Sequence, residues 1–169
     1  FVHGFPYYGS SIALEVDGEI VVGVIYDPSK KEMFVAAKGQ GAHCNSQRLA
    51  VSASARLSEA LVCIGLPAVP EKHPETISGM VRLTARTRSV RRMGSAALSM
   101  AYVAAGRSDG FYSHIIQPWD VAAGVLLVRE AGGKVTNLWA DRYDLYNRSV
   151  LATNGLVHEE VARELAEGR

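Results

Sequence analysis

Short runs rich in Val, Ile and aromatic side chains occupy residues 10 to 16, 20 to 26 and 32 to 37, and polar turn residues separate them. That patterning predicts antiparallel strands. Asp17-Gly18 between the first two runs is a two-residue hairpin signal, and Asp27-Pro28 ends the second because proline has no N–H to offer a ladder. Gly39, Gly41, Asn45 and Ser46 then mark turns leading to a last short strand at about Leu49 to Val51. From Leu61 onward the pattern switches to alternating strand and helix. A strand over Leu61 to Ile64 precedes a helix at about 74 to 86, and Gly94-Ser95 opens a second helix that Gly106 ends. A strand at 109 to 113, an apolar helix, strands at 134 to 137 and 149 to 153, and a closing helix from about 156 to 167 complete the order. The expected class is α/β, in the layered α+β sense. The polar and small residues of 52 to 60 separate the two patterns, so the division expected is 1–57 for an antiparallel-sheet part and 58–169 for an α/β part.

The two middle helices carry the chemistry. Residues 95 to 105 are apolar at almost every position and rich in Ala, which suits a helix sandwiched between layers. In WDVAAGVLLVREAGG, Ala122, Ala123, Leu126, Leu127 and Ala131 share one helical face while Val121, Val125 and Val128 make the flank apolar, so this helix also lies buried. Pro118 suits its start and Gly132-Gly133 its end. Asp120 places one carboxylate in the first turn, and the residues leave two readings open: a helix N-cap, or an oxygen ligand for a hard cation. Gly94-Ser95-Ala96 is similarly ambiguous between a plain N-cap by Ser95 and an anion site at a helix start.

Composition narrows the function classes. With 169 residues, 48% hydrophobic and 21% charged, the chain can bury a core. A net charge of +1 gives no field that argues for nucleic acid. The one basic concentration, Arg82, Arg86, Arg88, Arg91 and Arg92, is explained by a solvated face or a subunit contact. Cys44 and Cys63 have no zinc-ligand spacing and read as reduced, partly buried thiols, as in the cytosol. No apolar run is long enough to span a membrane, and no signal-peptide pattern is visible. Asp17, Asp27, Asp141 and Asp144 sit in turn contexts where Asp bonds local backbone, Asp109 caps a strand end, and Glu130 reads as a satisfied or solvent-facing charge. Trp119 and Trp139 read as core or edge aromatics, Trp119 packing to orient the turn that carries Asp120.

WDVAAGVLLVREAGG resembles the C-terminal signature of the inositol monophosphatase family, the Mg²⁺-dependent, lithium-sensitive sugar-phosphate phosphatases. The likeness extends in the family's order through FVHGFPYYGSSIAL, GVIYDPSKKEMFVAAKGQGAHCNSQRLAVS and RRMGSAALSMAYVAAGRSDGFY. It implies alternating α/β/α/β/α layers, here truncated at the N-terminus. Phe1, Val2 and His3 are similar to the tail of the family's acidic DPxDGT segment, so the resemblance implies a C-terminal portion without the N-terminal helices, an upstream Glu ligand and an Asp pair. It further implies that Asp120 binds one metal while those upstream residues hold the rest, and that Gly94, Ser95 and Ala96 contact substrate phosphate and hydroxyls.

The implied activity is Mg²⁺-dependent hydrolysis of a small phosphorylated sugar or polyol, inhibited by Li⁺, in a cytoplasmic protein that is a homodimer at full length. Phosphate monoesters repel nucleophiles, and paired divalent ions overcome this by neutralising charge and activating water. One carboxylate cannot hold such a pair, so this chain alone is expected to be inactive. Ser113 stands where inositol-phosphate-cleaving relatives carry a Glu that accepts hydrogen bonds from ring hydroxyls, so inositol specificity does not carry over; His114 and Gln117 are neighbouring alternatives for that contact. Fructose 1,6-bisphosphate, histidinol phosphate and phosphoadenosine phosphate are cleaved by similar relatives. The rival from another class is a noncatalytic interaction module derived from the family. An exposed edge strand in the first sheet would also favour association of the isolated chain.

Overall fold

The computed structural model describes residues 2–67, 69, 73–139 and 142–167. Phe1 and Asp141 lie outside them. Five strands form an antiparallel meander: β1 (Ser10–Val16), β2 (Glu19–Asp27), β3 (Glu32–Ala37), β4 (Ala42–Cys44) and β5 (Gln47–Arg48). Val16 pairs with Glu19 across a two-residue turn in which Asp17 (φ 51°) and Gly18 (φ 79°) are both left-handed, the geometry a tight hairpin requires. Asp27 ends β2 fully buried, its Oδ1 accepting from the N–H groups of Ser29 (2.9 Å) and Lys30 (3.2 Å), which is the local role expected of it. The short strand expected at Leu49 to Val51 is instead displaced upstream into β4 and β5. Leu49 donates to the Ala42 carbonyl (2.8 Å) as that hairpin closes, and Val51 donates to Ala131 (3.1 Å), so Leu49 and Val51 follow the hairpin rather than forming a strand of their own.

A single turn of 3₁₀ helix (Leu57–Glu59) leads into the second sheet, whose strand order is β7-β6-β8-β10-β9. Its strands are β6 (Leu61–Gly65), β7 (Ser89–Arg91), β8 (Gly110–Ser113), β9 (Lys134–Thr136) and β10 (Val150–Thr153). β6 runs parallel to β7 and β8, and β10 runs antiparallel to β8 and β9. Sequence patterning did not reveal β7: it has three residues at the sheet edge, ends in Arg91, and buries none of its side chains. Four helices complete the fold, α1 (Pro74–Arg86), α2 (Ala96–Ala104), α3 (Pro118–Glu130) and α4 (His158–Ala166). None of the helices among the described residues is long and apolar enough to cross a membrane.

Their placement follows from their surfaces. α2 and α3 are apolar all round and fill the space between the sheets, where Ile25 and Phe34 of the first sheet, Leu98, Met100 and Leu127 of the helices, and Phe111 and Val150 of the second share one core. α1 and α4 bury only one face each, with Leu83, Val161 and Leu165 on the outer side of the second sheet against Tyr112 and Leu151. The described residues thus stack as sheet, helices, sheet, helices. Close approach of α3 to the first sheet and to α2 depends on glycine. A Cβ on Gly23 would lie 2.8 Å from the Ala123 carbonyl oxygen, and one on Gly124 would lie 2.6 Å from Met100 Cβ. Glu130 is satisfied, as expected: its carboxylate accepts from Gly39 (2.8 Å) and Gly41 (2.7 Å) and pins the β3–β4 turn to the end of α3. Asp109 does more than cap a strand. Its two carboxylate oxygens accept from Ser52 Oγ (2.5 Å) and Leu61 N–H (2.6 Å), tying the connecting segment to β8. Both cysteines are free and buried.

α4 is anchored by a buried imidazole. Thr153 Oγ1 accepts from Gly155 N–H (3.1 Å) and is hydrogen-bonded to His158 Nδ1 (2.9 Å), while His158 Nε2 is hydrogen-bonded to Thr136 Oγ1 (3.1 Å), so both ring nitrogens are partnered. Burial, reinforced by the Lys134 charge, lowers the His158 pKa from its usual value to about 4. The unfolded chain therefore binds a proton near pH 6.5 that the folded chain refuses until about pH 4, and stability falls as pH drops through that window. The expected loss is on the order of 2 kcal/mol once solvent screening is allowed for, and His158→Gln should flatten that part of a denaturation-versus-pH curve.

Candidate functional site

A cleft of about 520 Å³ opens where the amino ends of α2 and α3 converge on the carboxyl end of β6 and on the segment from Tyr7 to Ser11. Crevices at the carboxyl ends of parallel strands are where layered α/β folds bind ligands. Its inner wall holds Ser95, Ala96, Ala97, Ser99 and Asp120, which are buried or half-buried; its rim holds Tyr8, Arg92, Gly94 and Trp119, which are exposed.

Asp120 is the third residue of α3 rather than its N-cap; Gln117 has that place. The carboxylate reaches back to the Gln117 N–H at 3.4 Å, a long bond that closes a capping box and leaves most of its acceptor capacity facing the cleft. The carboxylate thus supports the cap from the third helical position while lining the cleft. At α2 the capping role is the one the hydrogen bonds display. Gly94 takes the left-handed conformation (φ 99°) that turns the chain into the helix, and Ser95 caps it by accepting from Leu98 N–H at 3.3 Å. The N–H groups of Ala96 and Ala97, in the first turn, have no acceptor within the helix and belong to residues that line the cleft.

Ser113 is placed differently. It is 1% exposed at the end of β8, donates to the Ile115 carbonyl (3.0 Å) with Gly65 O nearby (3.4 Å), and is not among the cleft-lining residues. Gly94, Ser95, Ala96 and Asp120 are thus brought together, and Ser113 stays behind the wall. His114 faces away from the cleft, packed against Tyr112 (5.8 Å between ring centroids) and Trp139 (5.3 Å); burial lowers its pKa and keeps it neutral. The expectation that Trp119 packs is overturned. It is 70% exposed at the rim, because it precedes the buried run that starts at Val121 and the flanks of α3 are already filled by the two sheets.

Residues that the sequence did not single out also line the site. Tyr7 and Tyr8 enter from the segment before β1, and Arg92 from the turn after β7. Burial raises the pKa of Tyr7 and keeps its phenol protonated. For Arg92 the available signal was its position two residues before Gly94, which membership in a longer basic cluster obscured. Three others of that cluster are structural: Arg82 donates to the Glu164 carbonyl (2.6 Å), Arg86 approaches the Glu164 carboxylate (3.6 Å), and Arg91 bonds Ser89 within its own strand.

The donor set does not amount to a magnesium site by itself. Mg²⁺ requires near-octahedral oxygen ligation with more than one source of negative charge or water. Among the described residues no three His, Cys, Asp or Glu side chains converge, and Asp120 is the one acidic residue lining the cleft.

The model of the inositol monophosphatase family matches residues 1–169. The chain is 40% identical over 167 residues to the fructose-1,6-bisphosphatase/inositol-1-monophosphatase of Thermotoga maritima, covering 99% of this chain and 63% of that protein. It is 40% identical over 155 residues to the Nus factor SuhB of Escherichia coli, covering 91% of this chain and 58% of that protein. The structure of an inositol monophosphatase from Anabaena superposes with a TM-score of 0.93 at 42% identity, over 97% of this chain and 68% of that one. The chain spans less than two thirds of the length of the curated relatives it matches.

Proposed function

Because this chain belongs to the inositol monophosphatase family, we propose that the gene product carrying it is a phosphomonoesterase that cleaves the phosphate ester of a small sugar or polyol with the help of Mg²⁺. The observation that carries this reading is the convergence of Asp120 with the amino end of α2 on one cleft. A helix amino end with unsatisfied N–H groups attracts a phosphate, and the positive end of its dipole adds to the attraction. Gly94, Ser95 and Ala96 form the phosphate cradle in this reading. The buried apolar body of α3 fixes Asp120 in place beside it. Asp120 serves as one metal ligand, and the ion needs further oxygen ligands that the cleft among the described residues does not supply.

The experiment is phosphate release by the full gene product from inositol 1-phosphate, fructose 1,6-bisphosphate, histidinol phosphate and phosphoadenosine phosphate, with and without Mg²⁺ and Li⁺. Magnesium-dependent, lithium-sensitive turnover of at least one ester is expected; turnover of none refutes the reading. The isolated 169-residue chain is expected to release no phosphate under the same conditions, since one carboxylate offsets half the charge of a single divalent ion. Magnesium-dependent turnover by it would show that Asp120 needs no partners.

One observation favours a second reading, a protein acting through interaction with partners rather than by hydrolysis. A relative 40% identical to this chain is named a Nus factor. The same assay separates the two, because an interaction module releases phosphate from no ester.

A further inference from the structure

We propose that Tyr112, His114 and Thr76 form an internal hydration site whose water bridges α1 to the second sheet. None of the three lines the cleft, and the phosphatase reading makes no use of them. Thr76 and Tyr112 are 0% exposed and His114 is 8% exposed, yet both hydroxyls and both imidazole nitrogens have no hydrogen-bond partner among the described residues. The groups gather at one point. A Cβ on Gly79 would lie 3.8 Å from the Tyr112 hydroxyl and 3.9 Å from His114 Cε1, the carbon between the two ring nitrogens, so both side chains are aimed at the same bare stretch of α1. Thr76 lies one turn earlier, on the buried face of α1 that it shares with Gly79 and Leu83.

A buried polar atom left unbonded forfeits the hydrogen bonds it made in water, so four of them around one helix face call for a shared partner. The chemistry of the four selects a neutral molecule that both donates and accepts. Burial keeps the His114 ring neutral, so one nitrogen donates and the other accepts, and each hydroxyl can do both. The charged groups that act on His114 are Glu75, His73 and Arg82, all on or beside α1, and the carboxylate opposes the other two. An anion would face the imidazole lone pair. A metal ion would lack ligands, because among the described residues no three His, Cys, Asp or Glu side chains converge. Water meets every requirement, and it has a route: His114 also lines a cavity of about 620 Å³ with Leu138, Trp139, Asn147 and Arg148.

The test is a pair of measurements on the full gene product. A high-resolution crystal structure is expected to show ordered water at hydrogen-bond distance, about 3 Å, from the Tyr112 hydroxyl and from a His114 nitrogen. Tyr112→Phe removes that hydroxyl and little else. It should lower the melting temperature by roughly 2 to 4 °C, because the water keeps its place and loses a partner. A dry site gives the opposite sign, since deleting an unbonded buried hydroxyl relieves a penalty and raises the melting temperature. Thr76→Val repeats the comparison at a second position with a side chain of nearly the same shape, so the result does not hang on how one ring repacks. Density in which the three side chains bond protein groups alone overturns the proposal. So does a melting temperature that stays level or rises in both variants.

Discussion

Asp120→Asn in the full gene product is expected to lower kcat/KM for its phosphate ester by roughly two to three orders of magnitude, the size of effect that follows loss of one charge-stabilising group. The substitution is nearly isosteric. Its amide oxygen can still accept the Gln117 N–H that Asp120 accepts at 3.4 Å, so the capping role survives. What disappears is the negative charge on the cleft wall, and with it the attraction for the divalent ion that the proposed function assigns to Asp120. Thermal unfolding should accordingly move little, because a cap is worth about 1 kcal/mol and this one is retained in kind. Phosphate release at saturating Mg²⁺, measured beside a melting curve, distinguishes the outcomes. Unchanged turnover would remove Asp120 from the chemistry and leave it a capping residue, whereas turnover and melting temperature falling together would mark it as structural.

The second large effect is on stability. Gly23→Val should destabilise the protein by about 3 kcal/mol or more, through overpacking that no rotamer relieves. A Cβ at Gly23 would meet Ala123 O at 2.8 Å and Ala123 Cα at 2.9 Å, and both are backbone atoms of α3. Relief requires the helix to move away from the first sheet, opening the shared core around Ile25 and Phe34. For a protein of this size that corresponds to a melting temperature lower by roughly 10 °C. A shift within about 2 °C of the wild type would mean that the sheet and α3 can separate at little cost. The same displacement would carry Asp120 with it, because the carboxylate rides on the first turn of α3. Residual folded Gly23→Val protein should therefore also lose activity, which links interlayer packing to the geometry of the cleft.

Much of the molecule was legible before any coordinates. Runs rich in Val, Ile and aromatic residues, bounded by turn residues, located β1 to β3, and Asp17-Gly18 fixed the hairpin because two left-handed residues are needed there. α1 matched over 74 to 86, and the two apolar helices were recognisable as buried because no face of either could be left in water. Where the reading went astray, local patterning had little to report. β7 is an edge strand that ends in arginine, and the pairing of β4 and β5 runs through turn residues. Trp119 is exposed although its type suits packing, because the layers around α3 are already full.

The sequence by itself determined the family, the layered class and the two helix starts at Gly94-Ser95-Ala96 and Asp120, because helix starts and buried apolar helices are written in local residue order. Only the tertiary structure decided that these two helix starts share one cleft, that Arg92, Tyr7 and Tyr8 join them, and that Ser113 and His114 do not. The reason is geometric. Which end of a helix faces which neighbour depends on how the first sheet packs on α3 and α3 on α2, through contacts such as Gly23 on Ala123 and Gly124 on Met100, between residues distant in the chain. Such contacts leave only a glycine in the sequence, and a glycine does not name its partner.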